Sequence, residues 1–250
     1  TAFIAMMGRP EATPEVFSSF RRIVSGGAPI PSSVLEEFRR RTGHYIHNGY
    51  GLTETSAGII CVPSGREAPV DPASGTLSIG VPVFGVHAWI AGEDGSALPP
   101  GEVGEIVVSG PPVAAGYWNK PEETANAMRP DGFRTGDVGF MDEAGWFYLV
   151  DRKKDMINAS GYKVWPREVE DVLYGHPAIR EAAVVGVPHP YRGETVRAVV
   201  SLKSEATLSR EDLAAWCRPR MAAYKQPNEI LIVDDLPKTA AGKILRRNLK

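Results

Sequence analysis

Cysteine is scarce in this sequence: two residues among 250, Cys61 and Cys217, far apart and without metal-type spacing. That excludes a disulfide framework and a cysteine zinc site, and it reads as a cytoplasmic protein with free, buried thiols. Long apolar runs are also missing. A stretch such as Ala182 to Val187 is far too short to span a bilayer, and no secretory signal stands at the start. Charge of one sign is lacking too. The formal net charge is −2, so no global basic field points to nucleic acid or an anionic membrane, and no aromatic interleaving of basic residues supports a nucleic-acid binder. There is no Walker-type loop: Gly242-Lys243 is followed by Ile244, and Pro237 stands where the first Gly would sit. The sequence shows no internal repeat and no low-complexity tract. What is present is a 43% hydrophobic chain, long enough for one large or two ordinary domains. It opens on Thr rather than Met, which suggests a start inside a longer gene product.

Three textures follow one another. Residues 1–74 look α/β. Arg22 to Ser25 reads as a short strand running into the Gly26-Gly27 turn. Pro31 to Thr42 reads as a helix, with Val34, Leu35 and Phe38 on one face and Arg39 to Arg41 favouring the C-terminal dipole before Gly43. Tyr45 to Asn48 is a second short strand. Residues 75–150 carry β runs (Val86 to Ile90, Glu105 to Val108, Trp146 to Val150) between Gly, Pro and Asp turns, a rhythm that suggests a small barrel or distorted sheet.

After Val150 a compact α+β domain is expected. Pro166 to Tyr174 is an amphipathic helix, with Gly175 as its stop and Pro177 just beyond. Ala182 to Val187 is an apolar strand. Thr195 to Lys203 alternates, with Val196, Ala198, Val200 and Leu202 on one face. Ser209 with Asp212 opens a helix carrying Leu213, Trp216 and Cys217, and Ile230 to Val233 is a last strand. The boundary is expected near Asp151 to Lys154, giving domains 1–152 and 153–250.

Four segments do not read as packing elements: Tyr50-Gly51-Leu52-Thr53-Glu54, Thr135-Gly136-Asp137, Asp151-Arg152-Lys153-Lys154-Asp155, and Pro237 to Lys243. Each alone is a common loop composition. Together, in this order, they resemble the adenylate-forming superfamily of acyl-CoA synthetases, luciferases and peptide-synthetase adenylation domains. Two further blocks, Gly116 to Thr124 and Asp131 to Gly139, strengthen the likeness. The stretch Asp151 to Glu170, with Gly161, Val164, Glu168 and Glu170, is similar to the fatty acyl-CoA synthetase signature.

The resemblance implies roles. ATP must present its α-phosphate to a carboxylate, and cations and donors must offset the repulsion of two anions. Gly26, Gly27 and Ala28 would let the backbone approach the adenine, because glycine lacks a Cβ. Tyr50 would stack on the purine beside Gly51, and Thr53 would donate to the α-phosphate. Glu54 would coordinate Mg²⁺, a hard cation suited to one or two carboxylates plus substrate phosphates. Asp137 would accept from both ribose hydroxyls, with Arg152 as a second ribose contact; the plainer readings are an Asx-turn and a surface ion pair with Asp151 or Asp155. Lys243 would bridge carboxylate and α-phosphate during adenylation; otherwise it is one more solvated lysine in a basic tail with Lys238, Arg246 and Arg247. Lys154 matches the family hinge, whose rotation would exchange Lys243 for the Ser160-Gly161-Tyr162 loop, with Gly161 leaving room for the coenzyme A arm. Trp165 and Tyr162 read as core or cover residues.

The family's Ser/Thr/Gly-rich loop ending in Pro-Lys-Gly has no counterpart here, nor does the aromatic segment that begins the acyl tunnel. The chain therefore resembles the end of the large domain plus the whole C-terminal domain, and alone it is expected to be inactive. The implied activity is a fatty acid–CoA ligase using ATP, Mg²⁺ and coenzyme A as cosubstrates, with no tightly bound prosthetic group. The block Asp151 to Glu170 and the loop Pro188 to Glu194 favour it. The alternatives are a stand-alone acyl-AMP ligase passing its acyl group to a carrier protein, and a non-catalytic fragment.

Overall fold

Regular structure forms where apolar spacing and chain-stop residues agree. The computed structural model describes residues 2–27, 30–240 and 242–250. The chain divides into two compact units, Pro10–Lys153 on one side and Lys154–Lys250 with the opening helix α1 (Ala2–Met7) on the other.

In the first unit a short helix α2 (Pro14–Phe17) precedes strand β1 (Ile23–Ser25) and helix α3 (Ser32–Thr42). Leu35, Phe38 and Thr42 of α3 are buried. Pro31 sits one residue outside the helix in extended conformation, and Gly43 ends it at φ 74°, donating to the Arg39 carbonyl. Strand β2 (Ile46–Gly51) runs parallel to β1 and antiparallel to β3 (Gly58–Cys61), which pairs in turn with β4 (Val81–Pro82). β2 continues past the expected end at Asn48, so Tyr50 and Gly51 are strand residues.

A second, curled sheet follows: β5 (His87–Ala91), β6 (Gly104–Ser109), then helix α4 (Pro121–Ala127), β7 (Met128–Arg129), β8 (Gly132–Met141) and β9 (Phe147–Arg152). All its pairings are antiparallel, in the order β5-β6-β8-β7 with β9 also on β8. The pairing of Gly80 with Phe147 stitches the two sheets together. One apolar cluster, from Ile59, Ile60 and Ile79 through Ile90, Ile106 and Phe147, fills the space between them. Burying each such side chain contributes about 1.5–3 kcal/mol before entropy is subtracted.

The second unit has its own core. Strands β10 (Ile157–Ala159) and β11 (Tyr162–Val164) form a hairpin, and helix α5 (Pro166–Tyr174) follows. Then come β12 (Ile179–His189), β13 (Gly193–Leu202), helix α6 (Arg210–Cys217) and β14 (Glu229–Val233). β12 and β13 form an antiparallel hairpin. β14 lies parallel to β13, which requires the crossover that α6 provides. Val169 and Leu173 of α5 and Leu213 and Cys217 of α6 pack on Val184, Val196, Ala198 and Val200.

One expectation changes here. β13 was expected to bury one face, but Thr195, Val199 and Ser201 are buried as well; on that second face Arg180 reaches Ser201 and the C-terminal tail reaches Arg197. Helix α5 ends where Gly175 was expected to stop it; Gly175 caps it at φ −66°, an ordinary helical value. Among the described residues no helix is long and apolar enough to cross a membrane.

Candidate active site

The C-terminal ends of parallel strands β1 and β2 lie side by side, with Ser25 opposite Asn48. Gly26 and Gly27 follow β1, and Tyr50 and Gly51 end β2; ligands of open α/β sheets bind at such strand ends. Gly27 has φ +80°, a left-handed conformation that favours glycine in its own right. At Gly26 an added Cβ would meet only the Gly49 carbonyl, at 3.5 Å. Packing therefore leaves room there for a side chain or for a ligand. Gly51 is different: a Cβ would lie 2.1 Å from the Ala57 carbonyl oxygen, so the returning chain itself requires glycine. Ala28 lies outside the described residues.

Beyond Gly51 the chain turns through a short 3-10 helix, Thr53–Thr55. Thr55 is its buried pin, accepting from the Leu52 N–H at 2.9 Å through Oγ1. This leaves Thr53 exposed at the turn. The Glu54 carboxylate accepts from the Tyr117 hydroxyl at 2.8 Å, and the Glu54 carbonyl accepts from the Ala114 N–H at 2.7 Å. The block Gly116 to Thr124 is thus tied to the block Tyr50 to Glu54. Sequence reasoning left Tyr117 out of the site; the signal available was its place in a recognised block. Burial first, and the Glu54 carboxylate second, push the Tyr117 phenol up to about 12.

Asp137 and Arg152 are register partners across β8 and β9. The strand is shaped to present them. Between Arg134, opposite Val107, and Val138, opposite Glu105, β8 carries extra residues, a bulge that re-aims a side chain. Within it, Thr135 Oγ1 donates to the Ile106 carbonyl at 2.7 Å and accepts from the Asp137 N–H at 3.1 Å. Gly136 takes φ +71° and donates to Glu105 at 3.0 Å. The Thr-Gly-Asp order is therefore the local recipe for aiming one carboxylate.

Asp137 is only 4% exposed. Tyr50 donates its hydroxyl to Asp137 Oδ2 at 2.7 Å, and Arg152 Nε stands 3.3 Å from Oδ1. Arg152 pairs with Asp137 rather than with Asp151 or Asp155 through its side chain; its own N–H donates to Asp151. Burial, and then the Asp137 charge, raise the Tyr50 phenol well above its ordinary value. The structure thus brings Tyr50, Asp137 and Arg152 into direct contact and sets Thr53 and Glu54 a few residues beyond Tyr50. One carboxylate beside a phenol fits a Mg²⁺ held mainly by phosphates and water. No group of three or more metal-ligating side chains occurs among the described residues.

In the second unit Gly161 lies at the tip of the β10–β11 hairpin. Ser160 (φ 56°) and Gly161 (φ 87°) form a two-residue turn with both φ positive, and nothing lies within 4 Å of a Cβ built on Gly161. Tyr162 is exposed and stacks on Tyr224 with ring centroids 4.7 Å apart, so it is no core residue. Lys154 lies in the short 3-10 turn Lys153–Asp155 and is exposed. Lys243 is exposed near the tip of a tight loop closed by the pairing of Lys238 with Ile244. The basic tail of the plainer reading is tied down at Lys238 and Arg246. Lys238 pairs with buried Glu181 at 2.8 Å, and Arg246 pairs with Glu170 at 2.6 Å.

Two family models match the chain. The AMP-binding enzyme model covers residues 1–118 and the AMP-binding enzyme C-terminal domain model covers residues 168–243. The chain belongs to the AMP-binding enzyme family. As an AMP-binding enzyme it is 46% identical to a long-chain-fatty-acid–CoA ligase of Bacillus subtilis, over all of this chain and 44% of that one. It is 40% identical to a feruloyl-CoA synthase of an Amycolatopsis species, over all of this chain and 50% of that one. Among solved structures, ATP-bound MatB from Rhodopseudomonas palustris superposes with a TM-score of 0.91 at 34% identity, over 99% of this chain and 48% of that one. The chain spans about half the length of the AMP-binding enzymes it matches.

Proposed function

We propose that the protein containing this chain is an AMP-forming acyl-CoA ligase. A carboxylate attacks the α-phosphate of ATP, giving acyl-AMP and pyrophosphate. The thiol of coenzyme A then attacks the acyl carbon, and AMP leaves. The single observation that carries the reading is the contact of Tyr50, Asp137 and Arg152 at the C-terminal end of β2.

Asp137 accepts from the ribose hydroxyls, with Arg152 holding the carboxylate and adding a donor. Tyr50, anchored at its hydroxyl, offers its ring to the purine, and Gly26 leaves the adenine room. Thr53 donates to the α-phosphate. Glu54, steadied by Tyr117, would hold Mg²⁺, which when bound supplies charge neutralisation at the phosphates. Lys243 brings an ammonium to the point where charge builds up between carboxylate and phosphate. Lys154 is the hinge that withdraws Lys243 for thioester formation, and the Gly161 turn leaves passage for the pantetheine arm. We assign a fatty carboxylate as the substrate and the cytosol as the location. The support for the substrate is the likeness of Asp151 to Glu170 to the fatty acyl-CoA synthetase signature, beside the 46% identity to the Bacillus subtilis ligase.

The test is a coupled assay on the full-length protein with octanoate, palmitate and ferulate, each with and without coenzyme A. Palmitoyl or octanoyl thioester with release of AMP is expected. Turnover of ferulate alone would overturn the fatty-acid assignment. Pyrophosphate release without any thioester would overturn the ligase reading.

A further inference from the structure

The loop bearing Lys243 is anchored at both ends. Its own bonds close it: Thr239 N–H donates to the Lys243 carbonyl and Leu245 N–H to the Pro237 carbonyl, each at 2.8 Å. Lys243 N–H donates to Thr239 Oγ1 at 3.1 Å. At its start Lys238 is held by Glu181 of β12 and by Asp235 at 2.5 Å. At its end Arg246 reaches two carboxylates from two parts of the chain. One is Glu170 of α5, at 2.6 Å; its other oxygen accepts from the Val184 N–H of β12 at 2.8 Å. The other is Asp155, at 3.6 Å, the residue directly after Lys154 and the last of the 3-10 turn.

We propose that Arg246 is a positioning residue that couples the Lys154 turn to the Lys243 loop. A planar guanidinium can address two carboxylates at once, which a single ammonium does less well. The Glu170 arm is short and backed by helix and strand, so it fixes where the loop leaves the core. The Asp155 arm is longer and ends on the turn that a hinge at Lys154 would move. Arg246 therefore registers the loop against that turn when Lys243 is delivered for adenylation. Thioester formation, with Lys243 withdrawn, does not need the register. This role rests on the ligase reading above.

The experiment uses full-length protein with Arg246→Ala, Arg246→Lys and Asp155→Asn. Adenylation is read by ATP–pyrophosphate exchange, and the second half-reaction by adding coenzyme A to supplied acyl-AMP. In Arg246→Ala, exchange kcat is expected to fall by at least about tenfold, since displacing a reacting group by ~1 Å can cost about a hundredfold. The KM for ATP and the thioester rate should hold. Arg246→Lys should recover part of the loss, and Asp155→Asn should show a smaller loss confined to exchange. Equal losses in both half-reactions for Arg246→Ala and Arg246→Lys would reduce Arg246 to a structural residue. Unchanged exchange in Arg246→Ala, beside an active wild type, would sink the coupling role alone. A wild type that makes no acyl-AMP would sink the ligase reading and this role with it.

Discussion

Replacing Tyr50 by Phe removes one oxygen and leaves the ring. In the structure that oxygen donates to Asp137 Oδ2 at 2.7 Å, and both residues are buried. A hydrogen bond to an ionised partner contributes about 1.5–3 kcal/mol, and Asp137 would lose a donor where water has little access. Tyr50→Phe is therefore expected to destabilise the folded protein by about 2 kcal/mol at neutral pH, measured by urea unfolding.

The pH dependence carries a second, independent expectation. The folded phenol holds its proton well above its ordinary value, through burial first and the Asp137 charge second. Below about pH 10 the phenol is protonated in both the folded and the unfolded chain, and the bond contributes in full. Above that the unfolded chain ionises while the folded chain does not, so the contribution falls by up to about 1.4 kcal/mol per pH unit until the folded value is reached. The gap between wild type and Tyr50→Phe should thus be constant from pH 7 to 9 and shrink above 10. A variant as stable as wild type at pH 7 would refute the contribution of the bond. A gap that persists unchanged to pH 11 would refute the raised phenol.

Tyr117→Phe should weaken the orientation of Glu54 by about 1 kcal/mol, raising the Mg²⁺ concentration for half-maximal adenylation about fivefold, read by magnesium titration of pyrophosphate exchange. Gly80→Ala should destabilise by more than about 2 kcal/mol in thermal unfolding; the residue has φ +115°, and its Cβ would stand 2.1 Å from the Cys61 carbonyl carbon. Leu173→Ala, in the fully buried heart of the second unit, should cost about 2–5 kcal/mol by urea unfolding, the spread depending on how far the cavity collapses.

How much of this was legible depended on how local the signal was. Helices α3 and α5 were readable because Leu35 and Phe38, or Val169 and Leu173, recur at helical spacing and are buried in the structure. The α6 cap was readable because Ser209 and Asp212 sit at capping distance, and Ser209 does accept from the Asp212 N–H. β8 escaped secondary-structure reading, since its bulge at Thr135 to Asp137 breaks the alternation that marks a strand. α4 escaped too; none of its residues is buried, so it has no apolar stripe. The partners of Lys238 and Arg246 lay beyond local reading. Glu181 and Glu170 are dozens of residues away in the chain, and no spacing rule pairs groups across that separation. The Tyr50–Asp137 contact is of the same kind: the blocks were visible, but the bond between them is a product of folding.

Asp137 and Arg152 oppose each other because Gly139 to Met141 pair with Phe147 to Leu149 across the turn Asp142 to Trp146, and a register shift between Val138 and Gly139 then sets Val138 opposite Asp151. In a hairpin the turn length sets which residues face one another. One residue inserted there would slide β9 by about 3.3 Å and reverse the sides its side chains take, carrying the guanidinium away from the carboxylate. An insertion in the Glu93 to Ser96 turn, between β5 and β6, would leave that pair untouched. The grip on a sugar would thus be calibrated by a connector that never approaches it, and drift in length should be tolerated at one bend and selected against at the other.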